Sequence, residues 1–314
     1  MAEAGAAQLD PERVIEAPTI VGPLWLERAG ENVTRCLLDE GIWDLPISRL
    51  MENVLGPGQT FVDVGANIGY FSVLGSRLVG PSGRVLAIEP DEFNLNLLRA
   101  NLERHGCSNV TVIPVAAWSE RGELDFHRPP DGAVARVGQD DGSGLHVRAA
   151  PLDELVEGTV DYLKIDCEHS DHVVVRGAAE LLRRNPSMLL SVEFHPWEGS
   201  HLGESPAEIL EGYRAGGLRP YEIVQRGIRP ASWEEIANPK LPEGNISFDF
   251  VMSRADPDEL QAKGLIARKR LLERPAIDRA KQRLLRAGGD LLGRLPEPIR
   301  PRIRYRDRRK RQST

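Results

Sequence analysis

From Thr60 onward the chain alternates short, almost wholly apolar runs with longer amphipathic ones. The apolar runs are TFVDVGA (60–66), RVLAIEP (84–90), VTVIPVAA (110–117), DYLKIDCE (161–168) and MLLSVEF (188–194). A strand that is apolar at nearly every position must be covered on both faces. Helical periodicity fills the intervals at 70–78, 92–104 and 173–184, with Gly80, Gly83, Gly106 and Pro186 as stop signals. This order predicts an α/β protein with a doubly wound, mostly parallel, Rossmann-like sheet of seven strands. Segments 219–224 and 246–253 supply the last two strands. Residues 127–150 are rich in Gly, Asp and His and read as a loop near the strand ends.

Upstream, residues 1–18 are Ala-, Glu- and Pro-rich and read as loosely ordered chain. The stretch 47–55 places Ile47, Leu50, Met51, Val54 and Leu55 at helical spacing before Gly56-Pro57-Gly58 ends it. The expected organisation is an N-terminal extension or substrate cover (1–58), a cofactor-binding domain (59–255) and a basic tail, helical or partly disordered (256–314). The tail carries two helical patterns, 258–274 and 275–292. From Lys263 to Thr314 there are 18 Lys and Arg against 5 Asp and Glu, although the whole chain has a net charge of −7. An acidic body therefore carries a strongly basic end.

Composition narrows the classes further. In 314 residues there is no run of 18 apolar residues that would span a membrane. The start, MAEAGAAQLDPERV, lacks the basic and apolar regions of a signal peptide. Cys36, Cys107 and Cys167 are too few and too dispersed for a disulfide framework or a zinc ribbon. The expectation is a cytoplasmic protein, with membrane association through the tail as an open option.

The junction after the first strand reads Asp63-Val64-Gly65-Ala66-Asn67-Ile68-Gly69. Glycines there permit a sharp turn and close approach of a ligand. A dinucleotide fingerprint needs G-x-G-x-x-G, and Asn67 occupies its middle glycine, so a pyrophosphate is disfavoured. Asp63 suits instead a ligand bearing an ammonium and a sulfonium. Glu89 ends the second strand, where an acid accepts hydrogen bonds from ribose hydroxyls. Singly these are a capping acid, a tight turn and a surface glutamate. Jointly they describe a site for S-adenosylmethionine formed by Asp63, Gly65, Ala66, Asn67, Gly69 and Glu89, with Ala117 after the third strand. Trp118 beside it would flank adenine or pack in the core.

These residues resemble the FkbM-type methyltransferases. The likeness runs from about Trp43 to Pro196 and rests on FVDVGANIGYFS (61–72), RVLAIEPDEFN (84–94), NVTVIPVAAWSERGEL (109–124), Pro151-Leu152-Asp153, VDYLKIDCEHSD (160–171) and RGAAELL (176–182). The resemblance implies a class I, S-adenosylmethionine-dependent O-methyltransferase. Its acceptor would be a hydroxyl of a sugar, glycolipid, polyketide or other secondary metabolite. One departure stands out: the family's usual Lys-Ile-Asp-x-Glu-Gly here has His169 in place of the glycine.

Methylating a hydroxyl calls for a positioned base. Reacting groups gather beyond the carboxyl ends of the strands in such a sheet. Asp166 and Glu168 close the fourth strand, and Glu193 and His195 close the fifth. With His169 they are the candidate catalytic groups: Glu168 or His195 as proton acceptor, and Asp166 positioning the cofactor amine or the substrate. A helix-capping role for the acids and a plain hydrogen-bonded histidine are the alternatives. His169 and His172, three apart, lack a closed ligand set, so no metal is expected. Asp63→Ala and Gly65→Val are expected to abolish cofactor binding with the fold retained. The expected partner is a small-molecule, glycan or glycolipid acceptor. RNA 2′-hydroxyl methylation guided by the tail, with nucleic acid the less favoured partner, and a non-catalytic cofactor-binding scaffold stay open. The oligomeric state is not legible.

Overall fold

The computed structural model describes residues 9–30, 32–127, 136–137, 145–167, 169–197, 202–225, 227–241 and 247–266. In chain order these begin with a hairpin, β1 (Val14–Ala17) and β2 (Leu24–Glu27), followed by α1 (Asn32–Glu40) and α2 (Leu45–Val54). The alternating part follows as β3 (Thr60–Val64), α3 (Tyr70–Val79), β4 (Arg84–Ile88), α4 (Glu92–Arg104) and β5 (Val110–Ile113). Four short strands come next, β6 (Ala116–Ala117), β7 (Gly122–His127), β8 (Arg136–Val137) and β9 (Leu145–Ala150), then α5 (Leu152–Leu155). The chain returns through β10 (Tyr162–Ile165), α6 (Asp171–Arg176), α7 (Ala179–Arg184), β11 (Leu189–Phe194) and α8 (Pro206–Ala215). It finishes with β12 (Arg219–Val224), β13 (Gly227–Pro230), α9 (Trp233–Ala237), β14 (Phe248–Ser253) and α10 (Pro257–Ala262).

Among the described residues the main sheet has eight strands in the order β13-β12-β14-β11-β10-β3-β4-β5. Neighbours from β5 to β11 pair parallel, and β14, β12 and β13 add an antiparallel edge. The eighth strand is β13, a short hairpin partner of β12 that sequence alone did not mark. Period-two alternation divides the strands between two layers. Phe61, Val85, Tyr162 and Leu189 face the core built with the N-terminal hairpin and α2–α4. Val62, Val64, Leu86, Leu163, Ile165 and Leu190 face the core built with α6–α8.

Several expectations need correction. The N-terminal segment is not loose throughout, because Val14–Ala17 pairs antiparallel with Leu24–Glu27 and buries Val14 and Ala17. The run 110–117 is two strands, because Pro114 has no N–H for the ladder; β5 stays in the main sheet and β6 joins β9. The 127–150 region is not simply loop: β7, β8 and β9 form a second sheet with β6. The helix expected over 173–184 is two, α6 and α7, parted at Gly177 and Ala178. Of the first tail helix, α10 is described, and the remainder of the tail with its proposed membrane contact lies outside the described residues. Among those described, no helix is long and apolar enough to cross a membrane.

Gly177 shows why α6 stops. A Cβ at that position would lie 2.0 Å from the backbone oxygen of Trp118. The α6–α7 break is thus fixed by close backbone contact with the end of β6. Gly177→Ala is predicted to lower unfolding stability by about 2 kcal/mol or more, measured by urea denaturation; an unchanged midpoint would contradict this contact.

Candidate active site

Asp63 on β3 and Lys164 on β10 sit directly opposite each other in the parallel register. Alternation turns both toward the α2–α4 layer, where both are buried. Asp63 is 0% exposed; its Oδ2 accepts from Ser72 Oγ on α3 at 2.7 Å, and its Oδ1 lies 4.0 Å from Lys164 Nζ. Lys164 Nζ donates to Asp166 Oδ2 at 3.0 Å and lies 4.8 Å over the Phe71 ring. Burial opposes the lysine charge, but Asp166 and Asp63 outweigh it and raise its pKa. Burial pushes the Asp63 carboxyl up, and Lys164 and Ser72 only partly offset this. This triad ties the carboxyl ends of two central strands together.

Beyond those ends lies a cavity of about 320 Å³. Gly65, Ala66, Asn67 and Ile68 of the glycine loop form one wall, with Tyr70 and Phe71. Lys164, Asp166, His169, Glu193 and His195 form another, and Trp43, Asp44, Ser247 and Asp249 close it. Among the described residues, the non-glycine positions with positive φ are Asp44 (38°), Asn67 (50°) and His169 (65°). All three line this cavity. Left-handed backbone at non-glycine residues costs free energy and collects at functional sites.

The strand ends are fixed by Asp171, which is buried at the start of α6. Its Oδ1 accepts from Cys167 N at 2.7 Å, and its Oδ2 accepts from Glu193 N at 2.9 Å. One carboxylate therefore staples β10 to β11 beside the cavity. Glu193 in turn accepts from Ser247 Oγ at 2.7 Å and meets His195 Nε2 at 3.2 Å. Burial alone would raise the Glu193 carboxyl, but the bonds from His195 and Ser247 outweigh it and leave it lowered. The His169 and His195 rings stack with centroids 3.7 Å apart. Asp44 caps α2, accepting from Ile47 N at 3.1 Å, and hydrogen-bonds Asp249. Burial raises both carboxyls, and the Asp44 carboxyl adds to the rise at Asp249.

Asp166, Glu193, His169 and His195 are thus brought together, as the sequence suggested, and Glu168 lies outside the described residues. Asp63 does not reach the cavity; it supports the loop from beneath. Glu89 is 4% exposed, with Oε2 accepting from Asn67 N at 2.8 Å and Oε1 from Asp91 N at 2.9 Å. Ala117 is buried in β6. Gly65 and Gly69 have φ of 74° and 89°, and a Cβ on Gly65 would fall 2.0 Å from Asp166 O. The expectation that Gly65→Val and Asp63→Ala leave the fold intact is therefore corrected: both disturb packed, water-free contacts. His172 turns away from His169 and bonds Glu204 at 2.7 Å. Among the described residues, no three His, Cys, Asp or Glu side chains are grouped to hold a metal. Sequence reasoning missed Lys164, Asp44, Asp249 and Ser247. A lysine inside an otherwise apolar strand was the signal available for the first.

A doubly wound sheet with a glycine loop after its first parallel strand and an acid after the second defines a Rossmann-type nucleotide-binding crevice. Residues 63–216 match the methyltransferase FkbM domain, and this segment belongs to that family. The methyl donor that this likeness implies is S-adenosylmethionine. A protein-L-isoaspartate O-methyltransferase of Methanococcoides burtonii is 39% identical over 56 residues, 18% of this chain and 28% of that protein. A probable cobalt-precorrin-6B C(15)-methyltransferase (decarboxylating) of Saccharolobus solfataricus is 38% identical over 74 residues, 24% of this chain and 36% of that protein. The chain spans about a third of the length of these curated relatives. Among solved structures, the methyltransferase FkbM from Methylobacillus flagellatus aligns at TM-score 0.41 and 16% identity, over 62% of this chain and 43% of that one.

The residues present fit the cofactor's charge. Asp44, Asp166, Glu193 and Asp249 face the cavity alongside Lys164, leaving an acidic lining suited to an ammonium and a sulfonium. Removing the buried cation tests the triad that holds this wall. Lys164→Met is predicted to cost about 3 kcal/mol, because Asp63 is left buried and uncompensated. Lys164→Met with Asp63→Asn should recover most of that loss in urea unfolding; equal stability of the single variant and wild type would refute the triad's role.

Proposed function

We propose that the chain transfers a methyl group from S-adenosylmethionine to a hydroxyl of a polyhydroxylated acceptor: a sugar, glycolipid, polyketide or other secondary metabolite. The observation that carries this reading is the imidazole–carboxylate pair, His195 with Glu193, opening on the same cavity as the glycine loop. A hydroxyl is a weak nucleophile until its proton has somewhere to go. The rest of the lining (Asp44, Ser247 and Asp249) supplies donors and acceptors on the far side, which suits an acceptor with several hydroxyls.

In this reading the loop Gly65-Ala66-Asn67 to Gly69 holds the cofactor, Asp166 holds its amine, Glu89 its ribose hydroxyls, and Ala117 lies along its base. When bound, the cofactor would supply an electrophilic methyl group to oxygen, its sulfur keeping the electron pair of the bond that breaks. The chain's own groups do the remainder. Asp166, fixed by Lys164, sets the position of the donor; Asp44 and Asp249 orient the acceptor; the imidazole side of the cavity takes the hydroxyl proton, with Glu193 balancing the charge. Trp43, Tyr70 and Phe71 limit water in the cavity. Formation of S-adenosylhomocysteine with methyl glycosides, glycerol or catechol tests the activity; amines methylated in preference to hydroxyls would overturn the acceptor class.

A pH dependence follows from Glu89. Burial pushes its carboxyl up to about 7, against the partial help of the Asp91 and Asn67 amides. Ribose hydroxyls donate to the carboxylate, so below that pH binding must first remove a proton. Affinity for S-adenosylhomocysteine is expected to rise about tenfold between pH 6 and pH 8. Glu89→Gln should flatten the profile; calorimetry showing a flat wild-type profile would remove Glu89 from the ribose.

A further inference from the structure

His169 stands where the backbone asks for glycine. Its φ is 65°, in the left-handed region that a branched-at-Cβ or ring-bearing residue enters only at a cost. What it gains is a contact: its ring lies on that of His195 at 3.7 Å, inclined by 22°. Glu193 completes the arrangement through its 3.2 Å contact with His195 Nε2.

The two imidazoles are not equivalent toward an acceptor. His195 Nε2 is committed to Glu193, and His195 Nδ1 is buried. The His195 side chain is 10% exposed. His169, like His195, is half-buried and lines the cavity. We infer that His169 is the catalytic base of this chain, touching the acceptor hydroxyl, and that His195 and Glu193 act as positioning residues behind it. The inference rests on the O-methylation reading above. The hydroxyl proton passes to a ring nitrogen of His169 as oxygen bonds the methyl carbon, and leaves to solvent as product departs. Two stacked rings do not both carry charge at this separation, so His195 is neutral while His169 holds the hydroxyl proton, and the Glu193 carboxylate balances that single charge. The other charged groups on the cavity are Asp166 and Lys164 from β10, Asp44 from the N-terminal segment and Asp249 from β14; they are common to every variant compared below.

The decisive variant is His169→Gly, which removes the imidazole and relieves the backbone. With methyl glycosides, glycerol and catechol as acceptors, S-adenosylhomocysteine formation is expected to fall roughly 10²-fold or more. The melting temperature should be equal or higher, and S-adenosylmethionine affinity unchanged. Free imidazole in the buffer should restore part of the rate, which a purely structural role would not allow. His169→Asn, which tolerates the same φ, should be as inactive as His169→Gly. Turnover within about threefold of wild type in both variants would overturn the assignment while leaving O-methylation standing.

A second measurement needs no acceptor. Nitrogen-15 NMR of histidine-labelled protein should show His169 and His195 titrating in two steps about 1 pH unit or more apart. In His169→Gly the His195 midpoint should move. Identical His195 titrations in the two proteins would refute the coupling. Inactive wild type with a coupled titration would instead mark the acceptor reading as the failure.

Discussion

The site is organised around one buried cation. Lys164 lies in the central strand of the sheet, opposite Asp63 and two residues before Asp166. A buried lysine beside a buried aspartate is tolerable only when each has its partner, and removing either leaves a buried charge without compensation. The arrangement stiffens the ends of β3 and β10, from which the glycine loop and the Asp166–His169 segment spring. Asp171 performs the same service one strand further, taking the Cys167 and Glu193 amides on its two oxygens. Two buried acids therefore position nearly every polar group on one side of the cavity, although neither touches its contents.

Strain marks the same place independently. Asp44, Asn67 and His169 come from separate segments, yet each holds a left-handed backbone and each faces the cavity. Asp44 is held by its cap on α2 and by Asp249; Asn67 by the Glu89 carboxylate; His169 by the stack on His195. Such conformations persist where surrounding contacts over-determine them. Charge and strain thus converge on one crevice at the carboxyl ends of the parallel strands, the location where doubly wound sheets place their chemistry.

Much of this was legible in the chain. Apolar runs gave the five parallel strands, and the glycines of loop 63–69 marked the turn at the end of the first, because both signals are local. Asp166, His169, Glu193 and His195 were legible as groups because strand ends collect in space. Their division of labour was not. Whether an acid such as Asp63 faces ligand or core depends on which layer its alternation meets, and that is set by neighbours about a hundred residues away. The carboxyl pair of Asp44 and Asp249 joins the N-terminal segment to the penultimate element, with no spacing to announce it. The second sheet escaped notice because β6 and β8 are two residues long and carry no periodicity. Gly177 ended a helix through a contact with Trp118 that only the packed chain reveals.

The central claim is that this single cavity joins the methyl donor to its proton acceptor. A crystal structure of the protein with S-adenosylhomocysteine tests it most directly. The account predicts the homocysteine end between the Gly65–Asn67 loop and Asp166, the ribose on Glu89, and the sulfur facing His169. The product analogue bound elsewhere, or the crevice filled by protein side chains with the ligand excluded, would contradict it.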